Sequence, residues 1–214
     1  MANFIGPEML LRIPALLLAI TFHEYAHARV SYSLGDPTPK WRGRLSLNPL
    51  VHLDPIGLLM LWLFKFGWAK PVEINPSYYE EPKKGMILVS LAGPLANLIL
   101  AFFTMIILKL DIIHSGILEN FIYILFLYNL TLAVFNMIPI PPLDGSKILM
   151  GLLPTKQAYE FSQLEAYGPF ILILLVYFGL LSIVLNPLIV FVHKGLDVLS
   201  NIILFRNYNL IYGF

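Results

Sequence analysis

Hydrophobic residues fall into long runs separated by short polar stretches. Apolar runs occupy residues about 9–34, 86–108, 121–138 and 170–192. Each run is long enough to cross a hydrocarbon core about 30 Å thick as a helix with a rise of about 1.5 Å per residue. The pattern predicts an all-α, multi-pass integral membrane protein.

The segments between these runs vary in character. Residues 56–64 are apolar but are cut off by Lys65, which makes them shorter than the roughly 17–25 residues of a spanning helix. A re-entrant or interfacial segment is therefore expected there. Turn-forming residues dominate 35–48, for which we predict a loop with a short strand, and 155–167 is predicted to be a polar connection.

Prolines are expected to break two of the runs. The third run breaks at Pro139, Pro141 and Pro142, and a new helix is expected over residues 146–153. The last run is predicted to be interrupted at Asn186-Pro187.

Composition agrees with a membrane protein and excludes several kinds of chemistry. The chain is 58% hydrophobic and 13% charged, whereas soluble domains average about 25% charged residues. It contains no cysteine, so a metal would be held by nitrogen and oxygen atoms. A net charge of +1 gives no reason to expect a nucleic-acid partner. The first residues do not have the pattern of a cleavable signal peptide.

The distribution of positive charge predicts an orientation. If 56–64 does not cross the bilayer, ten of the 14 Lys and Arg residues lie on the side that follows the first span. Cytoplasmic loops are enriched in these residues. We therefore predict that residues 29–84 face the cytoplasm, with the N-terminus on the opposite side.

A His-Glu-x-x-His pattern stands in the first apolar run, as His23-Glu24-Tyr25-Ala26-His27. In a helix, His23 and His27 would share one face and could bind one zinc ion, with Glu24 beside an open coordination position as a proton acceptor. Ionisable residues at membrane depth are costly and are read as functional by default.

Such a zinc site needs a third protein ligand. Asp144 is the best candidate, because it follows the broken third run, although an Asp at the start of a helix can also serve as its cap. His52 and Asp54 are rival ligands, for which hydrogen-bonded roles in a turn are favoured and a second-shell or substrate role for His52 stays open.

Three amides lie within the apolar runs. Asn97, Asn129 and Asn136 most simply hold helices together by hydrogen bonds. Each could also steady a histidine ring or contact a substrate carbonyl, and Asn97 and Asn136 are candidate residues for such a role.

Three motifs appear in a specific order: His23-Glu24-x-x-His27, then Ser90-Leu91-Ala92-Gly93-Pro94-Leu95-Ala96-Asn97, then Asn136-x-x-Pro139-x-x-Pro142-Leu143-Asp144-Gly145. Together they resemble the site-2 protease family of intramembrane zinc metalloproteases. The resemblance implies a three-helix catalytic core within about 9–155. It further implies one zinc ion per chain held by His23, His27 and Asp144, with Glu24 as the catalytic acid/base.

The segment 47–57 resembles a compact prokaryotic branch of that family. The resemblance implies a single membrane domain over 1–214, with C-terminal membrane helices at about 156–205, in the plasma membrane of a prokaryotic cell. The expected reaction is hydrolysis of peptide bonds within or near transmembrane segments of membrane-protein substrates, as in regulated intramembrane proteolysis. Many members carry a PDZ or CBS domain, and neither is expected in this chain.

Two other functions would also place such residues in a bilayer. A metal-ion transporter would need ligands along a path, whereas these candidates converge on one site. A catalytically inactive membrane scaffold would be insensitive to a Glu24→Gln substitution.

Overall fold

The computed structural model describes residues 7–57 and 68–212. Most of the segment 56–64, for which a re-entrant piece was predicted, lies outside the described residues. Within them the chain forms α1 (Pro7–Ser33), α2 (Thr38–Trp41), α3 (Pro82–Lys109), α4 (Gly116–Asn136), α5 (Asp144–Leu152), α6 (Thr155–Ser162), α7 (Gly168–Tyr177) and α8 (Leu180–Tyr212), with 3₁₀ turns at Pro49–His52, Pro76–Tyr78 and Gln163–Tyr167.

Four of the described helices are long and apolar enough to cross a membrane. They are Met9–Ser33 in α1, Pro82–Lys109, Gly116–Asn136 and Leu180–Leu204 in α8. In the described part of the chain, strand-like pairing is limited to an isolated bridge between Leu53 and Ala69. The prediction of an all-α, multi-pass membrane protein is confirmed.

Helices α1, α3 and α4 pack against one another and form the centre of the bundle. His23 of α1 contacts Asn97 of α3, and His27 contacts the earlier residue Val89. The two helices therefore run antiparallel, and the chain leaves α1 and enters α3 at the same end of the bundle. A connection that begins and ends on one side of the bundle is the condition under which the charge distribution predicts an orientation.

An apolar cluster joins the central helices to α8. Its buried members come from three helices and are Ala101, Met105, Phe126, Leu130, Val134 and Leu196. At one end of this cluster, the Lys109 ammonium lies 2.6 Å from an oxygen of Asp197 and donates to Ser200 and Asn201. The charge at the end of α3 is thus neutralised where α8 passes it.

The C-terminal helices differ from the predicted pattern. The break was expected at Asn186-Pro187, but α8 runs through Pro187 without ending. The chain breaks instead at Gly179, which has a φ of 70° and follows the end of α7. A residue with positive φ cannot continue a right-handed helix, whereas a proline inside a membrane helix removes one backbone donor and is tolerated.

Two polar segments contain more helix than expected. The stretch 155–167 was predicted as a connection and instead forms α6 and a 3₁₀ turn. The stretch 35–48 was predicted as a loop with a short strand, but it contains α2, and the structure assigns no strand to it. The helix expected over 146–153 is present as α5 and begins two residues earlier.

Candidate metal centre

Three residues predicted to bind metal meet at one point between α1 and α5. The Nε2 atoms of His23 and His27 lie 3.0 Å apart. Asp144 Oδ2 lies 3.1 Å from the first and 3.2 Å from the second. All three side chains are buried, and their potential ligand atoms lie within 4.8 Å of one another. Within the described residues, this is the one group of histidine and carboxylate side chains with such spacing.

Hydrogen bonds at Nδ1 of each histidine ring determine which ring nitrogen carries the proton and which faces the centre without one. His23 Nδ1 lies 2.6 Å from Asn97 Oδ1, and His27 Nδ1 lies 2.7 Å from the carbonyl oxygen of Val89. A carbonyl oxygen only accepts, so each Nδ1 must carry the proton in the neutral ring. Both Nε2 atoms therefore present lone pairs to each other and to Asp144.

The orientation of the Asn97 amide is itself determined by its neighbours. Its Nδ2 donates to the carbonyl oxygen of Ala19 at 3.0 Å and to Asn129 Oδ1 at 2.8 Å. Asn129 Nδ2 in turn donates to the carbonyl oxygen of Leu125. The oxygen of Asn97 is thus left facing His23, and the two amides connect α1, α3 and α4.

This geometry fits a bound cation. Two nitrogen lone pairs and a carboxylate oxygen converge, and Asp144 Oδ2 is buried without a hydrogen-bond donor among the described residues. Burying such electron-rich atoms together is unfavourable unless a positive ion neutralises them. Catalytic zinc sites can use two histidines and one carboxylate as ligands, with the fourth coordination position open to water or substrate.

Two glycines allow the elements to approach closely enough to form this centre. A Cβ atom at Gly93 would lie 2.4 Å from His27 Nε2, so α3 can pass beside the rings only without a side chain at this position. A Cβ atom at Gly145 would lie 2.3 Å from the backbone oxygen of Met137. The start of α5, including Asp144, therefore packs directly on the end of α4.

A cavity of about 110 Å³ opens beside the three residues. Glu24 lines it, and its Oε2 accepts a hydrogen bond of 3.0 Å from the backbone N–H of Val72. The other lining residues come from the segment before α3, from α3, α4 and α5, and from the turn between α4 and α5. They include Pro71, Ile74, Ser90, Asn136, Pro142 and Lys147. The cavity is large enough to hold water.

The rival ligands lie outside this centre. His52 is buried, with Nε2 2.8 Å from the carbonyl oxygen of Ser46, and it does not line the cavity. Asp54 Oδ1 accepts hydrogen bonds from the backbone of Ile56 and Gly57, which is the role in a turn that the sequence favoured. Asn136 does line the cavity, although its Nδ2 donates to the carbonyl oxygen of Leu132.

Sequence reasoning missed three contributors to the cavity. Ser90 was named as part of the second motif but was given no role in the site, although its spacing from Gly93 and Asn97 places it on the same face of α3. Val72 contributes through its backbone, which leaves no signal in the sequence. Lys147 follows Asp144 by one turn of α5 and was counted only as a positive charge of the loops.

Comparison with known proteins gives a consistent result. The profile of "Peptidase family M50" matches residues 109–178. The chain is 40% identical over 182 residues to "Putative zinc metalloprotease YwhC" of Bacillus subtilis, an alignment that covers 81% of this chain and 83% of the relative.

Two further relatives match over a smaller share of their own length. "Zinc metalloprotease MJ0392" of Methanocaldococcus jannaschii is 34% identical over 193 residues, which is 88% of this chain and 49% of that protein. "Stage IV sporulation protein FB" of Bacillus subtilis is 30% identical over 151 residues, which is 69% of this chain and 43% of that protein. No solved structure matches.

Proposed function

The chain belongs to peptidase family M50, the site-2 protease family, and is a zinc metalloprotease; on this premise we propose that it hydrolyses peptide bonds within or next to transmembrane segments of membrane proteins. The observation that carries the proposal is the position of the site. His23, His27, Asp144 and Glu24 meet in a cavity between helices that are long and apolar enough to lie in a bilayer.

His23, His27 and Asp144 would hold one zinc ion per chain, and Glu24 would move the proton. Zinc bound by these residues would supply Lewis-acid chemistry, namely polarisation of a carbonyl group and a pKa of about 7 for a bound water molecule. Glu24 accepts the proton of the attacking water and passes it to the leaving amine. The backbone N–H of Val72 holds the Glu24 carboxylate in one orientation during this transfer.

The buried position of the site also limits the form of the substrate. The scissile carbonyl must reach the buried side chains of His23, His27 and Asp144, whereas in an intact helix each backbone carbonyl is hydrogen-bonded within the helix. The substrate must therefore unwind locally, so that its backbone enters as an extended chain. Helix-destabilising residues near the cleaved bond should favour this step, since an intact transmembrane helix keeps every backbone amide hydrogen-bonded.

We place the enzyme in the plasma membrane of a prokaryotic cell as a single membrane domain. The ends of α1 and α3 that meet near the site face the cytoplasm in this proposal, because the positively charged loops lie at that end of the bundle. The described residues offer a single group of converging metal ligands, so no second group extends it into a path for transported ions.

The test compares wild type with the Glu24→Gln variant. Both are produced in cells, and new peptide termini within transmembrane segments are identified by mass spectrometry. We expect such termini with wild type and at least a roughly 100-fold loss with Glu24→Gln, because general acid–base catalysis contributes about 10²–10⁴-fold. Purified Glu24→Gln protein should still contain about one zinc ion per chain. Equal cleavage by both proteins, or cleavage restricted to soluble proteins, would contradict the proposal.

A further inference from the structure

One face of α3 forms the wall of the metal centre. Along this face, the Val89 carbonyl accepts from His27, Gly93 leaves room for both rings, and Asn97 orients His23. Ser90 lies three residues before Gly93 and seven before Asn97, which places it on the same face. Its side chain lines the cavity that also contains Glu24.

The Ser90 hydroxyl is unusual among the hydroxyl groups of these helices. Thr104 on the same helix donates to the carbonyl oxygen of Leu100 at 2.8 Å, and Thr21 on α1 donates to Leu17 at 2.6 Å. Ser90 is 1% exposed, and its Oγ has no hydrogen-bond partner among the residues that the structure describes. A buried hydroxyl without a partner is unfavourable and requires an explanation.

The other polar groups around the cavity leave few free donors. Glu24 and Asp144 are acceptors when ionised, and the proton of each histidine ring is committed to a carbonyl oxygen. Asn136 donates one N–H to the carbonyl oxygen of Leu132 and keeps a second, and Lys147 also lines the cavity, but both residues are only partly buried. Ser90 therefore supplies a free O–H group in a buried position beside the acid/base residue.

We propose that Ser90 is a catalytic residue whose hydroxyl donates a hydrogen bond to the oxygen of the scissile carbonyl as that oxygen gains negative charge. The inference rests on the proposed function and adds a residue to it. A preorganised donor in a site sheltered from water stabilises the transition state more than the ground state. Ser90 is not assigned the role of a nucleophile, because the Nε2 atoms of His23 and His27 would be occupied by the metal in the proposed function.

The experiment measures cleavage of one identified transmembrane substrate in proteoliposomes. Ser90→Ala should lower kcat by about 100-fold with little change in KM, as removal of one such donor does in other hydrolases. Zinc content should stay at the wild-type value. Resistance to unfolding in detergent should be equal or higher, because the substitution removes an unsatisfied buried group. Thr104→Val on the same helix removes a hydroxyl far from the cavity and should leave cleavage unchanged.

A second measurement uses binding rather than turnover. The probe is a peptide with the substrate sequence in which a phosphonamidate replaces the scissile bond, so that its tetrahedral oxygens imitate the transition state. Its Kd should rise by about the same factor as kcat falls in Ser90→Ala, because both report the same hydrogen bond. The Kd for Thr104→Val should equal that of wild type.

The outcomes separate this inference from the function on which it rests. If Glu24→Gln abolishes cleavage while Ser90→Ala cleaves and binds the phosphonamidate like wild type, the role of Ser90 is overturned and the proposed function stands. A loss of zinc in Ser90→Ala would also overturn it, since the residue would then support the metal centre. If Lys147→Met weakens phosphonamidate binding and Ser90→Ala does not, the donor is Lys147. If Glu24→Gln cleaves like wild type, the proposed function and the role of Ser90 are both contradicted.

Discussion

Two buried aspartates in this molecule have opposite surroundings. Asp36, after the end of α1, is fully buried and accepts hydrogen bonds from Ser31, Thr38 and Asn75 at 2.7–2.9 Å. Asp144, at the start of α5, is almost as buried, but its Oδ2 faces two imidazole lone pairs and no donor among the described residues. Burial alone does not distinguish the two residues, whereas the presence of donors does.

The donors around Asp36 explain why it can remain charged. Burial would raise the pKa of its carboxyl group, but the hydrogen bonds from Thr38, Asn75 and Ser31 lower that pKa below its usual value. The Tyr79 hydroxyl extends the cluster by its contact of 2.8 Å with Ser31. These contacts connect the end of α1 to the segment before α3. The carboxylate of Asp36 therefore has hydrogen-bond donors from the protein itself and needs no ligand. Asp144 Oδ2 has no such donor among the described residues, which supports its proposed role as a metal ligand.

The same isosteric change at the two aspartates should have different effects. Asp144→Asn replaces a charged ligand atom, so we expect the affinity for zinc to fall by more than about 100-fold, beyond the 10–100-fold typical of residues that only support a ligand. Competition with a chelator of known affinity measures this change. Unfolding of the metal-free protein should be nearly unchanged, and a wild-type affinity in Asp144→Asn would remove this residue from the metal centre.

Asp36→Asn should instead destabilise the fold and leave zinc binding intact. The amide that replaces Oδ2 would face the donors of Ser31 and Asn75, and leaving such groups without an acceptor costs about 2–3 kcal/mol in total. Denaturant unfolding in detergent measures the loss. An unchanged unfolding midpoint, with Asp144→Asn as the paired control, would show that the two aspartates do not differ in this way.

Loss of the hydrogen-bond acceptor behind the His23 ring should have an effect of intermediate size on zinc affinity. Asn97→Leu removes the acceptor of His23 Nδ1, so the ring is free to change its tautomer. We expect zinc affinity to fall about 10–100-fold. NMR of ¹⁵N-labelled histidine should show loss of the Nδ1–H form for His23, and the His27 ring, held by Val89, serves as an internal control. Unchanged tautomers in Asn97→Leu would contradict this role.

The smallest effect is expected at the contact between Glu24 and the segment before α3. Val72→Pro removes the N–H that donates to Glu24 Oε2, whereas Val72→Ala keeps it. We expect kcat to fall about 10-fold in Val72→Pro, the size of one hydrogen bond of about 1.4 kcal/mol, and to remain near wild type in Val72→Ala. Equal kcat values in the two variants would show that this contact does not orient the carboxylate.

Much of the architecture was predictable from the sequence because hydropathy and helix length are local properties. Three of the apolar runs correspond to α1, α3 and α4. The fourth was misplaced, because the sequence gives no sign that Gly179 has a positive φ or that α8 tolerates Pro187. Periodicity reports which face a residue occupies, but not the backbone angle at one position.

The site was also predictable only in part. The spacing of His23 and His27 and the motif around Asp144 indicated a common centre, and the structure brings these residues together. The unpartnered hydroxyl of Ser90 and the backbone donor of Val72 could not be predicted, because each depends on what lies across the helix contact. Local patterns specify side-chain types, whereas hydrogen-bond satisfaction is a property of the assembled bundle.

The metal centre joins the first membrane helix to a helix that follows the third, and this order has a consequence for biosynthesis. Ribosomes add about 5–20 residues per second, so α1 enters the bilayer well before α5 has been made. Membrane helices insert first and associate afterwards. Until α5 docks on the end of α4, the nascent chain has two of the three proposed ligands. On the proposed function, a growing chain therefore remains an inactive precursor until the start of α5 has been synthesised and has docked.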